Sequence, residues 1–134
     1  AIRPWQHLLE PLSAYLLLAK SICEDINLSG AYNFASSLTD CITVRDLILL
    51  TKRYYGKGQI SFSKNKKFKH EEEWLKLNTN KAKKLLGFKQ KWGIEKAVKK
   101  TIYWYKEQMR GVDSLQLCHQ DICSYEDDLW KDSQ

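Results

Sequence analysis

The chain has 134 residues, 43% of them hydrophobic and 12% aromatic, which is too apolar for a disordered polymer and enough for one domain with its own core. Its net charge of +6 suits anionic partners such as phosphates, nucleotides or an acidic surface, and equally suits plain solubility. The longest unbroken apolar run, Ala14 to Ala19, is far too short for a membrane-spanning helix, and the four cysteines, read below as reduced thiols, suit a cytoplasmic protein.

From His7 to Asp25, Leu8, Leu9, Leu12, Tyr15, Leu16, Ala19, Ile22 and Cys23 recur at helical spacing, and Leu17 and Leu18 widen the stripe. A helix this apolar should be enclosed on several sides. Ser29-Gly30 marks a turn, and residues 30–36, GAYNFAS, then read as a short strand with apolar groups on both faces, the pattern of a covered parallel sheet. Thr43 is placed to cap a second helix, with Val44, Leu47, Ile48, Thr51, Tyr54 and Tyr55 on one face and Gly56 as its stop.

Gln59-ISFS alternates like a strand, and KNKKFKH at 64–70 reads as an exposed basic loop. EEEWLKL at 71–77 reads as extended. Asn78, Thr79 or Asn80 can cap a small helix, KAKKLL, that ends at Gly87. Ile94, Ala97, Val98, Ile102 and Tyr105 define a further helix, and the tail 113–134 carries a weaker amphipathic pattern through Leu115, Leu117, Ile122 and Leu129. Helices alternating with short strands predict an α/β or α+β arrangement, mostly helical, with too few strands to form a sheet large enough to cover the helices. Cys23, Cys41, Cys118 and Cys123 show no CxxC spacing, so no metal site is expected; they read as reduced thiols, three of them on helices as small buried hydrophobes.

The stretches IRPWQHLLEPLSAYLLLA, GAYNFAS, HEEEWLKLNTNKAKKLLGFKQKW and AVKKTIYWYKEQ, with the tail SLQLCHQDICSYE, occur in the order that marks a known family. Together they resemble the C-terminal part of the CDP-glucose 4,6-dehydratases, nucleotide-sugar enzymes of the extended short-chain dehydrogenase/reductase family. The resemblance covers essentially all of residues 1–134. It implies that Ala1 continues a preceding Rossmann-type NAD-binding domain and that 30–36 is the strand returning to that domain's sheet. It further implies that the intact enzyme is a homo-oligomer binding NAD and CDP-glucose. The chain itself has neither a Gly-rich strand-to-helix turn nor a Tyr-x-x-x-Lys pair, so alone it should bind no NAD, carry no catalytic residue and be inactive.

On that resemblance Arg3 faces the nucleotide diphosphate, which a planar guanidinium can grip by two oxygens, the alternative being a salt bridge across a domain seam. Trp5 and Gln6 offer a stacking face and an amide to the base or ribose, with packing as the alternative for Trp5. His7 reads as a helix-start residue, a ligand contact or part of the seam. His70 and Glu71 match the pair that the family places near the ribose and phosphates. Glu72 and Glu73 depart from the family pattern, and three successive carboxylates beside a diphosphate would repel it, so at least two of Glu71, Glu72 and Glu73 should face solvent. Asn78 stands where the family usually has Asp. Two other functions compete: a non-catalytic nucleotide-sugar-binding or interaction module, or an epimerase of the same family. A nucleic-acid-binding domain fits less well, because the acidic clusters Glu71–Glu73 and Glu126–Asp128 oppose the lysines and no reading helix is present.

Overall fold

The computed structural model describes residues 1–62 and 75–131. Two three-residue strands, β1 (Ile2–Pro4) and β2 (Cys41–Thr43), form an antiparallel ribbon in which Ile2 faces Thr43, Arg3 faces Ile42 and Pro4 faces Cys41. Among the described residues five α-helices follow in the order α1 (Leu9–Glu24), α2 (Val44–Tyr55), α3 (Asn80–Leu86), α4 (Ile94–Met109) and α5 (Ser114–Lys131). The expectation of a mostly helical chain with few strands holds. No parallel sheet and no Rossmann core occur among the described residues.

Local chemistry accounts for most helix ends. Thr43 Oγ1 accepts the Asp46 N–H at 3.0 Å, and α2 stops at Gly56, which adopts φ +87°. At α3 the cap position is Thr79, with Asn78 Oδ1 accepting from Asn80 N at 3.0 Å, and Gly87 closes the helix at φ +67°. The start of α4 is served from a distance. Asp40 Oδ1 accepts the Ile94 N–H at 3.2 Å while its other oxygen accepts from Gln90 Nε2 at 2.8 Å. A carboxylate at that position also meets the positive end of the α4 dipole.

The packing has two centres. Ala14, Ala82 and Phe88 form a small apolar core, covered by Leu17, Tyr32 and Phe34, with Phe34 edge-on to Phe88 at 5.2 Å. Trp92, 1% exposed, forms the other, wedged between α1, α4 and α5. On its remaining face α1 is uncovered. Leu8, Leu12, Tyr15 and Leu16 are exposed, Leu16 to 73%, where the apolar pattern implied enclosure on several sides.

Several readings need correction. Residues 30–36 run without regular secondary structure, since no strand of the described residues pairs with them. Residues 59–62 do not form the strand suggested by their alternation, and 75–77 are irregular, although Leu75 N donates to Ile2 O at 3.2 Å beside the ribbon. Cys23, Cys118 and Cys123 are exposed rather than buried, because each sits on the outer side of its helix. The basic stretch 64–70 and the acidic residues 71–73 lie outside the described residues.

Candidate functional site

The site grows from β1. Pairing with β2 fixes the backbone of Arg3, whose Nη1 donates to Ile2 O at 3.1 Å. The chain then turns, with Trp5 N donating to Arg3 O at 3.0 Å, and the Trp5 indole N–H is spent on Ile42 O of β2 at 3.2 Å. What Trp5 still offers is the flat face of its ring.

That ring and the Gln6 side chain form one wall of a cavity of about 230 Å³. Leu47 and Thr51 of α2 and Ile94, Ala97, Val98, Thr101 and Ile102 of α4 complete it. No ionisable side chain lines the cavity. Gln6 Oε1 is buried and has no hydrogen-bond partner. A buried carbonyl in that condition costs about 1–3 kcal/mol, and native proteins rarely leave one without a reason. Ser36 Oγ is likewise buried and unpartnered, but Ser36 does not line this cavity.

His7, next in the chain, has turned away from the cavity. Its Nδ1 accepts the Leu9 N–H at 3.3 Å, which places the ring proton on Nε2, and its ring meets Trp92 edge-on at 4.8 Å. Burial pushes its pKa below 6.5, with Asp121 opposing and Lys100 assisting. His7 is therefore a neutral packing residue that starts α1.

One turn further on, Glu10 is completely buried. Its Oε1 accepts N–H bonds from Trp92 at 2.6 Å and Lys91 at 3.1 Å, its Oε2 accepts from Lys91 at 3.2 Å, and the Tyr125 hydroxyl shares a further bond. Burial raises the Glu10 pKa above 4.5 while these donors pull it back, and burial together with the Glu10 carboxylate pushes the Tyr125 phenol upward. Around the same indole, Trp92 Nε1 donates to Asp128 Oδ2 at 2.8 Å, Lys96 pairs with Asp128, and Lys100 pairs with Asp121 at 3.2 Å. The Lys96 contact and the indole N–H hold the Asp128 carboxyl down to about 2.

Of the five residues singled out from the sequence, Trp5 and Gln6 line the cavity and Arg3, on β1, does not. His70 and Glu71 lie outside the described residues. Sequence reasoning missed Glu10 and Trp92. A lone carboxylate in an apolar helix beside Pro11 was the signal for Glu10, because only a partner in the fold could make that position tolerable.

Among the described residues no cluster of His, Cys, Asp and Glu could hold a metal ion, and no helix is long and apolar enough to cross a membrane. No family model matches the chain. Its sequence is similar to CDP-glucose 4,6-dehydratase of Salmonella typhimurium, 32% identical over 126 residues. The match covers 93% of this chain, 35% of that protein, and falls on its C-terminal portion. The chain thus spans about a third of the length of the curated relative it matches.

Proposed function

We propose that this chain is the substrate-holding, C-terminal portion of an NAD-dependent nucleotide-sugar dehydratase, the intact enzyme removing water from CDP-glucose to give CDP-4-keto-6-deoxyglucose. The observation that carries the proposal is the match to CDP-glucose 4,6-dehydratase along 93% of the chain. The chain's own residues do not fit NAD, since the sequence has no Gly-rich strand-to-helix turn to receive its pyrophosphate. Its share of the work is positioning. Arg3 carries the charge for the diphosphate, and Trp5 and Gln6 stand two and three residues beyond it, at a cavity with no ionisable lining. The uncovered face of α1, with Leu8, Leu12 and Leu16, is the seam against which an NAD-binding domain closes.

Calorimetric titration of the 134-residue chain with CDP, against a single-stranded oligonucleotide of equal charge, tests the proposal. CDP should bind and the oligonucleotide should not displace it. Arg3→Ala should weaken CDP by about tenfold to 150-fold, the worth of a charge-assisted contact, and Arg3→Lys should recover only part of that loss. A folded chain that ignores CDP, or that prefers the oligonucleotide, removes the proposal. Unchanged affinity in Arg3→Ala, with a lowered melting temperature, would assign Arg3 to a salt bridge instead.

A further inference from the structure

We infer that Gln90 is a positioning residue for the diphosphate contact: its side-chain amide clasps the approach to β2 onto the start of α4, and through β2 it holds Arg3 and Trp5 in place. The inference rests on the function proposed above for Arg3 and adds to it what keeps that guanidinium in register.

The clasp is built from one amide and one carboxylate. Gln90 Oε1 accepts the Ser37 N–H at 2.6 Å, while Gln90 Nε2 donates to Asp40 Oδ2 and to Trp92 O, both at 2.8 Å. Both amide protons and the carbonyl are in use, which leaves the group one orientation. Asp40 closes the ring of contacts, since its Oδ1 accepts from Ile94 N at 3.2 Å and its Oδ2 accepts from Ser37 Oγ at 3.3 Å. The anchor side is itself held, because Trp92 N donates to the buried Glu10 carboxylate at 2.6 Å.

What the clasp grips leads straight to the site. Ser37 and Asp40 flank and end the single 3₁₀ turn Leu38–Asp40, and the next residue, Cys41, opens β2. One residue further, Ile42 faces Arg3 and its carbonyl takes the Trp5 indole N–H at 3.2 Å. On the other side Trp92 leads into α4, so the amide ties the strand that carries Arg3 and Trp5 to the helix that walls the cavity. A two-stranded ribbon of three residues a side does not hold its own position. The helix α2, which follows β2, packs on α4, but apolar packing is non-directional and leaves the placing of the strand to hydrogen bonds. Misplacing a contact group by about 1 Å can cost about a hundredfold. Loosening the clasp should therefore be felt at Arg3 although no bond to Arg3 is cut.

The experiment uses the 134-residue chain with two readouts, hydrogen exchange of the Trp5 indole N–H followed by NMR and calorimetric affinity for CDP. Gln90→Leu removes all three amide bonds, so the Trp5 indole should exchange about tenfold faster and CDP should weaken about tenfold, while the α4 amides beyond Ala97 keep their protection. Gln90→Glu keeps the acceptor for Ser37 but sets a carboxylate against Asp40, and should weaken CDP to a similar degree. Adding Asp40→Asn to Gln90→Glu returns a donor to the pair, and should restore about half of the loss on a logarithmic scale. Lys83 and Lys89 line the same hollow and are present in every variant, so they cancel from the comparison. A lowered melting temperature in Gln90→Leu, with the indole exchange and the CDP affinity of the folded chain unchanged, makes Gln90 merely structural and overturns the inference. A double variant that recovers nothing overturns the pairing of Gln90 with Asp40. If Gln90→Leu fails to fold, Gln90→Glu and its double variant carry the same two readouts. A wild-type chain that does not bind CDP removes the proposed function, and the Trp5 indole alone then decides whether the clasp holds the ribbon.

Discussion

Gln6 and Glu10 stand four residues apart in the sequence and present opposite solutions to one problem. Both bring polar oxygens out of water. Glu10, the more costly group to bury, is met by the N–H groups of Lys91 and Trp92 and by the Tyr125 hydroxyl. Gln6 Oε1 is met by nothing, beside open volume. A buried charge with a full set of donors is architecture, because its partners come from distant parts of the same chain and fix them together. A buried acceptor without a donor beside a cavity costs stability and fixes nothing together.

The largest effect is expected at Trp92, whose backbone serves Glu10 and whose side chain fills the junction above it. Trp92→Ala removes the side chain at the junction of α1, α4 and α5 and should cost about 3–5 kcal/mol, read as a lower urea midpoint. A loss below about 1 kcal/mol would mean that the Trp92 centre does not hold the helices. Glu10→Leu follows, since it strands two buried N–H groups and should cost about 2–4 kcal/mol. Glu10→Gln keeps an acceptor and should cost clearly less. If the two Glu10 variants melt together, the hydrogen bonds are not what matters at this position.

Gln6→Leu should move the other way. Removing an orphaned carbonyl from an apolar wall should leave stability unchanged or raise it by about 1 kcal/mol. A marked loss would show that Gln6 is architecture too. The smallest effect is a pH dependence. Because burial raises the folded pKa of Glu10 above 4.5, its favourable contribution is complete below that value and is lost as pH rises through the folded pKa. His7 acts in the opposite sense: its folded pKa is lowered, so its contribution is complete above pH 6.5 and is lost as pH falls through the folded value. Subtracting the stability of Glu10→Gln from that of the wild type isolates Glu10, and the difference should move in favour of the variant as pH rises from about 4.5. A flat difference would mean that the donors fully offset the burial.

Much of the helical framework was legible in the sequence because its signals are local. Thr43 with Asp46 and Gly56 bracket α2, and Gly87 ends α3, all within a few residues of the backbone they serve. The ribbon was not legible. IRP and CIT are three residues each, too short to show alternation, and their pairing joins residues 2–4 to 41–43. Residues 30–36 carry no strand for the complementary reason: a strand is defined by a neighbour, and none of the described residues pairs with them. At the site, Trp5 and Gln6 could be picked out by residue type. Their cavity could not, because α2 and α4 supply its other walls. Asp40, serving the α4 start across more than fifty positions, left no local signature.

The bond from Trp92 N to Glu10 spans 82 positions, and the parallel bond from Lys91 spans 81. That span has a kinetic meaning. Closing so long a loop adds only a slowly growing entropic cost to the stability, but contacts of high sequence separation form slowly. On the ribosome, α1 is made early while the groups that neutralise its carboxylate are made late. Until residue 92 has emerged, Glu10 must keep its water. The nascent α1 therefore cannot lock into its final seat before then.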